Sequence, residues 1–186
     1  MLFRSGALQA FAEAEFIAHQ EGLLNTSAMA FAHSRAAMCE MQQGNIDAAK
    51  AKLQQAIDIN QKIGELERQV GDMSNLGMLL YMTGDLAGAE EQLKPACELA
   101  FRIESAYRYR IAFNLSTLYR AQGRWTEAEN EHKRVKRAAG TANEHARYDM
   151  IQGHLHRDFA LRATAQKKFE EAQRRMAQAT KYLAHI

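Results

Sequence analysis

The chain has 186 residues, 47% hydrophobic and 25% charged, with 11 Gly and one Pro, enough to bury about 70% of the surface its unfolded form exposes. Its net charge of +2 is too small for the concentrated basic footprint behind non-specific nucleic-acid affinity, so no direct nucleic-acid partner is expected. A sequence rich in Ala, Glu, Gln, Lys, Arg, Leu and Met favours helix at nearly every window, because these side chains lose little rotamer freedom there; the expectation is all-α.

Residues 2–20 form a leading helix. Arg4, Glu13, Glu15 and His19 interrupt its apolar residues, which leaves neither a signal-peptide core nor a membrane span. No membrane partner and a cytoplasmic, reducing setting are expected. This helix has no partner before it, so it either caps an array or belongs inside a longer one, since terminal units need a special outer face. Leu2, Phe3, Phe11, Phe16 and Ile17 are exposed unless something covers them, and a homodimer through the terminal helices is one way to do so.

From residue 25 the chain repeats itself. Gly44, Gly84 and Gly123 lie 40 and then 39 residues apart, a period of stacked helical units. Two residues after each glycine stands an apolar residue (Ile46, Leu86, Trp125), five after an alanine (Ala49, Ala89, Ala128), and nine after a larger residue (Leu53, Leu93, His132). Positions five and nine share one helix face. Seven residues before each glycine lies a small residue, Ala37, Gly77 or Ser116, so small packs beside large and two helices approach closely. The spacing predicts helices over 25–42, 46–63, 65–83, 86–103, 105–122, 125–139, 142–158 and 160–183, about nine with the leading one. Gly64 and Gly140 punctuate joins between units. The fourth unit is read with Gly153, Ala160, Ala165, Phe169 and Ala172 in register and Arg162 at an apolar position. Recurrence of Gly77 and Gly153 at one register points to close helix contact, since a mid-helix glycine costs about 1 kcal/mol. Pro95 falls inside a helix and should bend it. Cys39 and Cys97 sit on apolar stripes and are expected as buried free thiols.

Asn75-Leu76-Gly77, Tyr81, Gly84-Asp85-Leu86, Ala89 and Leu93 resemble the tetratricopeptide repeat, and the period near 40 is similar to its longer variant in kinesin light chains, Pins-type spindle-orientation adaptors and bacterial regulators. The resemblance covers about residues 25–184, strongest in the second and third units. It implies an α-solenoid, a right-handed superhelix of antiparallel helix pairs, whose first helices line a concave groove that binds proteins or peptides. The domain reading is a single repeat domain over 1–186: a leading helix over 1–24, repeats over 25–64, 65–104 and 105–141, and a degenerate repeat over 142–186.

No GxGxxG, GxxxxGK[ST], HExxH or GxSxG occurs, so neither enzyme nor cofactor is expected. His154 and Asp158 have i,i+4 spacing, but a transition-metal site needs three or four ligands, so no metal is expected. The groove stripe runs through Phe31, Ser34, Arg35, Met38 and Met41; Ser74, Asn75, Met78 and Tyr81; Arg110, Phe113, Asn114, Thr117 and Arg120; and Arg147, Met150, Ile151, His154 and Arg157. It contains five arginines and no acid, which favours an acidic peptide through bidentate guanidinium–carboxylate pairs. Asn75 and Asn114 occupy one register although Asn is unfavourable inside a helix by about 0.5 kcal/mol. In the long-period proteins that the chain resembles, an asparagine at this place binds the partner's backbone; Arg35 and Ile151 hold the equivalent places in the outer units. The expected function is a non-catalytic module binding an extended or helical, acidic peptide. The alternatives are a sensory domain of a larger regulator and a self-assembling scaffold.

Overall fold

A computed structural model describes the backbone of residues 2–138 and 142–184, and within them the side chains outside 2–5, 135–148, 151, 155 and 169. The described residues form nine α-helices and no strand: α1 (Leu2–Gln20), α2 (Ser27–Gln43), α3 (Ile46–Ile63), α4 (Leu66–Met82), α5 (Leu86–Arg102), α6 (Arg108–Ala121), α7 (Trp125–Ala138), α8 (Ala142–Ala165) and α9 (Phe169–Leu183). Short turns make successive helices antiparallel, the arrangement of an α-solenoid. The chain divides into two compact units, Met1–Leu118 and Tyr119–Ile186.

The turn chemistry explains the repeat. Gly84 has φ +87°, a left-handed conformation that side chains resist, which is why glycine recurs there. Its N–H donates to the Tyr81 carbonyl and the next N–H, of Asp85, reaches back to Leu80, satisfying the orphan carbonyls that end α4. Asp85 then caps α5 by accepting the Gly88 N–H at 2.9 Å. The same backbone bonds recur at Gly44 and Gly123.

They recur a fourth time at Lys167, whose N–H donates to Thr164 while Lys168 donates to Ala163. Lys167 has φ +58° without being glycine. The sequence reading of the fourth unit is therefore corrected: its turn lies at 167, α8 runs on to Ala165 rather than ending at 158, and α9 begins at Phe169 rather than 160. The expected and observed turns lie seven residues apart, close to two helical turns, which keeps the same face and so preserves the pattern. Ala160 and Ala172, both buried, then take the places of Gly77 and Ala89. The starts of α2 and α6 also come two and three residues later than expected, because Thr26 caps α2 and Ser105 caps the turn before α6 through the Tyr107 N–H. Gly140 lies outside the described residues.

In Met1–Leu118 the core is the small-against-large contact the pattern requires. Ala37, Ala49, Leu53, Ile57, Leu76 and Leu79 form one buried cluster, and each large side chain in it contributes about 1.5–3 kcal/mol. A Cβ on Gly77 would lie 2.6 Å from Leu93 Cγ and 3.3 Å from the Ala89 carbonyl, so α4 and α5 meet where only glycine fits. Gly153 faces Leu183 in the same way, although in the corrected register its counterpart is Val70 rather than Gly77. Helix α1 packs through Ala18 against Met29, Ala30 and Ile59, while Phe16 and Ile17 stay exposed. Pro95 does not interrupt α5; it and Glu91, four residues earlier, are both on the exposed face, so the carbonyl that loses its donor meets water. Cys97 is a buried free thiol as expected, but Cys39 is only half-buried.

Candidate functional site: a groove face on the first helices

In Met1–Leu118 the first helices α2, α4 and α6 present a shared face with a cavity of about 320 Å³. Helix α2 contributes Phe31, Ser34, Arg35 and Met38; α4 contributes Arg68, Gly71, Asp72 and Asn75; Tyr107 and Arg110 close the far side. These residues recur at three- and four-residue steps, which stack them on one side of each helix. Gly71 lies beneath the Tyr107 ring, its Cβ position 3.5 Å from that ring.

Three guanidinium groups surround the opening. Arg35, Arg68 and Arg110 are all exposed; Arg68 lies 5.4 Å from the Phe31 ring centroid and Arg110 4.8 Å from that of Tyr107. A guanidinium laid on a ring is held in place while its edge donors remain available. Beneath them is an acid that the sequence stripe missed. Asp72 is 6% exposed and accepts from Ser34 Oγ at 2.8 Å and from Asn60 Nδ2 at 3.0 Å, tying α2, α3 and α4 together. Burial pushes its pKa up to about 6, against the opposing pull of the Ser34 and Asn60 hydrogen bonds and the Arg68 charge.

The two asparagines have different surroundings. Asn114 Nδ2 donates to Ser74 Oγ at 3.0 Å, linking α6 to α4, and Ser74 is buried rather than groove-facing. The corresponding serine for Asn75 is Ser34, which is committed to Asp72. Asn75 is half-buried and lines the cavity. Met78, Tyr81, Phe113 and Thr117 lie partly exposed on α4 and α6, outside the cavity; Thr117 Oγ1 is buried without a partner among the described residues.

In Tyr119–Ile186 the equivalent face is occupied by its own ion pairs. Arg120 pairs with Asp158, and Arg157 also reaches Asp158 at 3.3 Å, so these arginines and that acid are engaged within the chain. In the corrected register Asp158, not Ile151, stands where Asn75 and Asn114 do. The Arg147 and Ile151 side chains lie outside the described residues; His154 is half-buried. Behind this pair sits a buried cluster. His132 takes the place held by Leu53 and Leu93, and burial, then the Arg120 and His156 charges, push its pKa down to about 4. His156 stacks on Tyr182 with centroids 5.6 Å apart and meets Arg175 Nη1 at 3.3 Å; burial first and the Arg175 charge second lower its pKa. Arg175 also lies 4.5 Å from the Phe159 ring. Among the described residues no three His, Cys, Asp or Glu side chains are placed to hold a metal ion. No described helix is long and apolar enough to cross a membrane.

The family model of the tetratricopeptide repeat matches residues 73–100 and 114–139. These two stretches carry the tetratricopeptide repeat. No curated protein matches it. Among solved structures it is similar to BtubC (BKLC) from P. vanneervenii, with 20% identity, a TM-score of 0.72, and 98% of this chain aligned to 74% of that one. It is also similar to nearly identical kinesin light chain TPR-like repeats from Podosopora anserina, with 17% identity, a TM-score of 0.64, and 96% of this chain aligned to 95% of that one. A Rap protein in complex with Competence and Sporulation Factor aligns at 18% identity and a TM-score of 0.63, over 98% of this chain but 59% of its own. At these identities the likeness is one of fold, the tetratricopeptide-like α-solenoid.

Proposed function

We propose that the chain is a non-catalytic interaction module that holds an extended, acidic peptide segment across α2, α4 and α6. The observation that carries this reading is the set of three exposed guanidiniums, Arg35, Arg68 and Arg110, around one cavity, none of which has an acidic side chain of the described residues in an ion pair. Carboxylates of a peptide would complete them bidentately, Phe31 and Met38 would take its apolar side chains, and the Asn75 amide would hydrogen-bond its backbone. The helices need only present these groups, so no reacting centre is required. The solved Rap protein with Competence and Sporulation Factor supports a second reading, in which the peptide is a signal and the chain is the sensory part of a regulator.

Fluorescence anisotropy against an array of labelled acidic and neutral peptides tests the site. Acidic peptides should bind, and Asn75→Ala should weaken them about tenfold, the worth of one or two hydrogen bonds, with an unchanged melting temperature. Asn114→Ala should instead lower stability by about 1 kcal/mol, because it breaks the tie to Ser74. Equal binding of acidic and neutral peptides would remove the electrostatic basis of the proposal.

A further inference from the structure

Asp72 takes no part in the peptide contacts proposed for the groove. We infer that the cavity over Asp72 receives the charged end of a ligand in which an ammonium stands beside a carboxylate: the free amino terminus of a peptide that begins with acidic residues, or a free α-amino acid. This rests on the proposed groove and specifies which part of a ligand enters it.

Asp72 lines the cavity and has two neutral donors, Ser34 and Asn60, one on each carboxylate oxygen. A carboxylate accepts about four hydrogen bonds, so half its capacity is left. Among the described residues no Lys or Arg forms an ion pair with it; the Arg68 charge acts on it from beyond ion-pair distance. With a pKa of about 6 it is mostly ionised at neutral pH. A nearly buried carboxylate whose nearest guanidinium stands beyond ion-pair distance is unfavourable unless something positive reaches it.

The charge is not needed for the helix tie. Asn60 Oδ1 is buried and has no partner among the described residues, so turning that amide over would let it accept from an asparagine at position 72, while Ser34 would still donate to the remaining oxygen. The same three helices would be joined by neutral groups. What the carboxylate adds is a negative floor beneath a rim of three guanidiniums. A ligand with anionic charge alone meets the floor's repulsion, and one with cationic charge alone meets the rim's. An ammonium set next to a carboxylate satisfies both, and about 320 Å³ is at the lower end of small-ligand cavities.

The test uses the full chain and its Asp72→Asn variant. Binding is measured by calorimetry with glutamate and aspartate, and by anisotropy with libraries of pentapeptides beginning with Glu or Asp, their amino termini either free or acetylated. Free-terminus peptides should bind at least about tenfold more tightly than acetylated ones, as a charge-assisted contact warrants. Asp72→Asn should erase that difference without lowering the melting temperature. Binding of glutamate or aspartate as tight as that of the peptides assigns the site to free amino acids, supporting the inference but displacing the peptide reading. Peptides bound equally with free and acetylated termini, or a preference that survives Asp72→Asn, overturn the inference and leave the acidic-peptide groove standing. No binding by either peptide form or by the amino acids overturns both.

Discussion

Among the described residues, Met1–Leu118 buries an acid, Asp72, together with His33, whereas Tyr119–Ile186 buries two histidines, His156 and His132, the latter at the register position that Leu53 and Leu93 fill elsewhere. Burial disfavours the charged form of each, raising the pKa of Asp72 and lowering that of His132. The two therefore respond to acid in opposite directions. Asp72 binds its proton more tightly folded than unfolded, so its stabilising effect is complete below its ordinary value of 3.8 and is lost as pH rises through about 6. His132 binds its proton less tightly folded, so its contribution is complete above 6.5 and is lost as pH falls towards about 4. One helical scaffold holds two opposed pH dependences because the repeat fixes which positions are buried, not which charge type is put there.

The largest effect expected from this contrast is acid sensitivity in Tyr119–Ile186. Lowering pH from 6.5 to about 4 should cost that unit about 3 kcal/mol through His132, read as faster amide exchange in α7–α9. His132→Leu, which restores the residue type of the other units, should flatten the profile; an unchanged acid slope would show that His132 is not its source. Next comes Asp72→Asn, which should stabilise Met1–Leu118 by about 2 kcal/mol at pH 7, the ionisation penalty less a rearranged hydrogen bond. Urea unfolding should show this gain vanishing below pH 4.

Gly77→Ala should destabilise by about 1–3 kcal/mol, since the added methyl collides with Leu93 and the Ala89 backbone limits relief. Thermal unfolding reads it, and a neutral outcome would mean that α4 and α5 separate easily. The smallest effect separates the turns of the two units. Lys167→Gly should stabilise by about 1 kcal/mol by relieving a left-handed side chain, while Gly84→Ala should cost a similar amount. Equal and negligible shifts at both turns would erase the distinction between them.

Most of the fold could be read from residue types because turn, cap and packing face coincide in each repeat. Gly84 fixes the turn, Asp85 caps the helix, and Ala89 and Leu93 mark the buried face, so three independent constraints agree. At the fourth unit Lys167 and Lys168 remove the first two, and the face alone could not distinguish registers seven residues apart. The site was partly visible. Arg35, Met38, Asn75 and Arg110 lie at the cavity because their step along the helices is regular. Arg68, Gly71 and Asp72 are an earlier stretch of the same α4 stripe, and Tyr107 precedes α6. Asp72 was missed for a physical reason: an acid on a helix usually seeks water, and only the juxtaposition of Ser34 from α2 and Asn60 from α3, both distant in sequence, explains its burial. Arg120 and Arg157 share the stripe's regular step, and their ion pairs with Asp158 follow from where α6 and α8 place the three side chains rather than from that step.

Helix α8 has 24 residues where α2 and α4 have 17 each, a difference of seven. Seven residues turn a helix about 20° short of two full revolutions, so the longer helix presents almost the same angular face at its far end. Growth of a first helix is in this sense stepped rather than continuous. Adding two turns advances the turn that follows by about 10.5 Å along the axis and leaves the partner helix facing the right way, whereas adding two or five residues would swing the packing face round to solvent. Evolution can thus move the connecting turns of such an array up or down by fixed increments, changing where its loops emerge without redesigning a single interface.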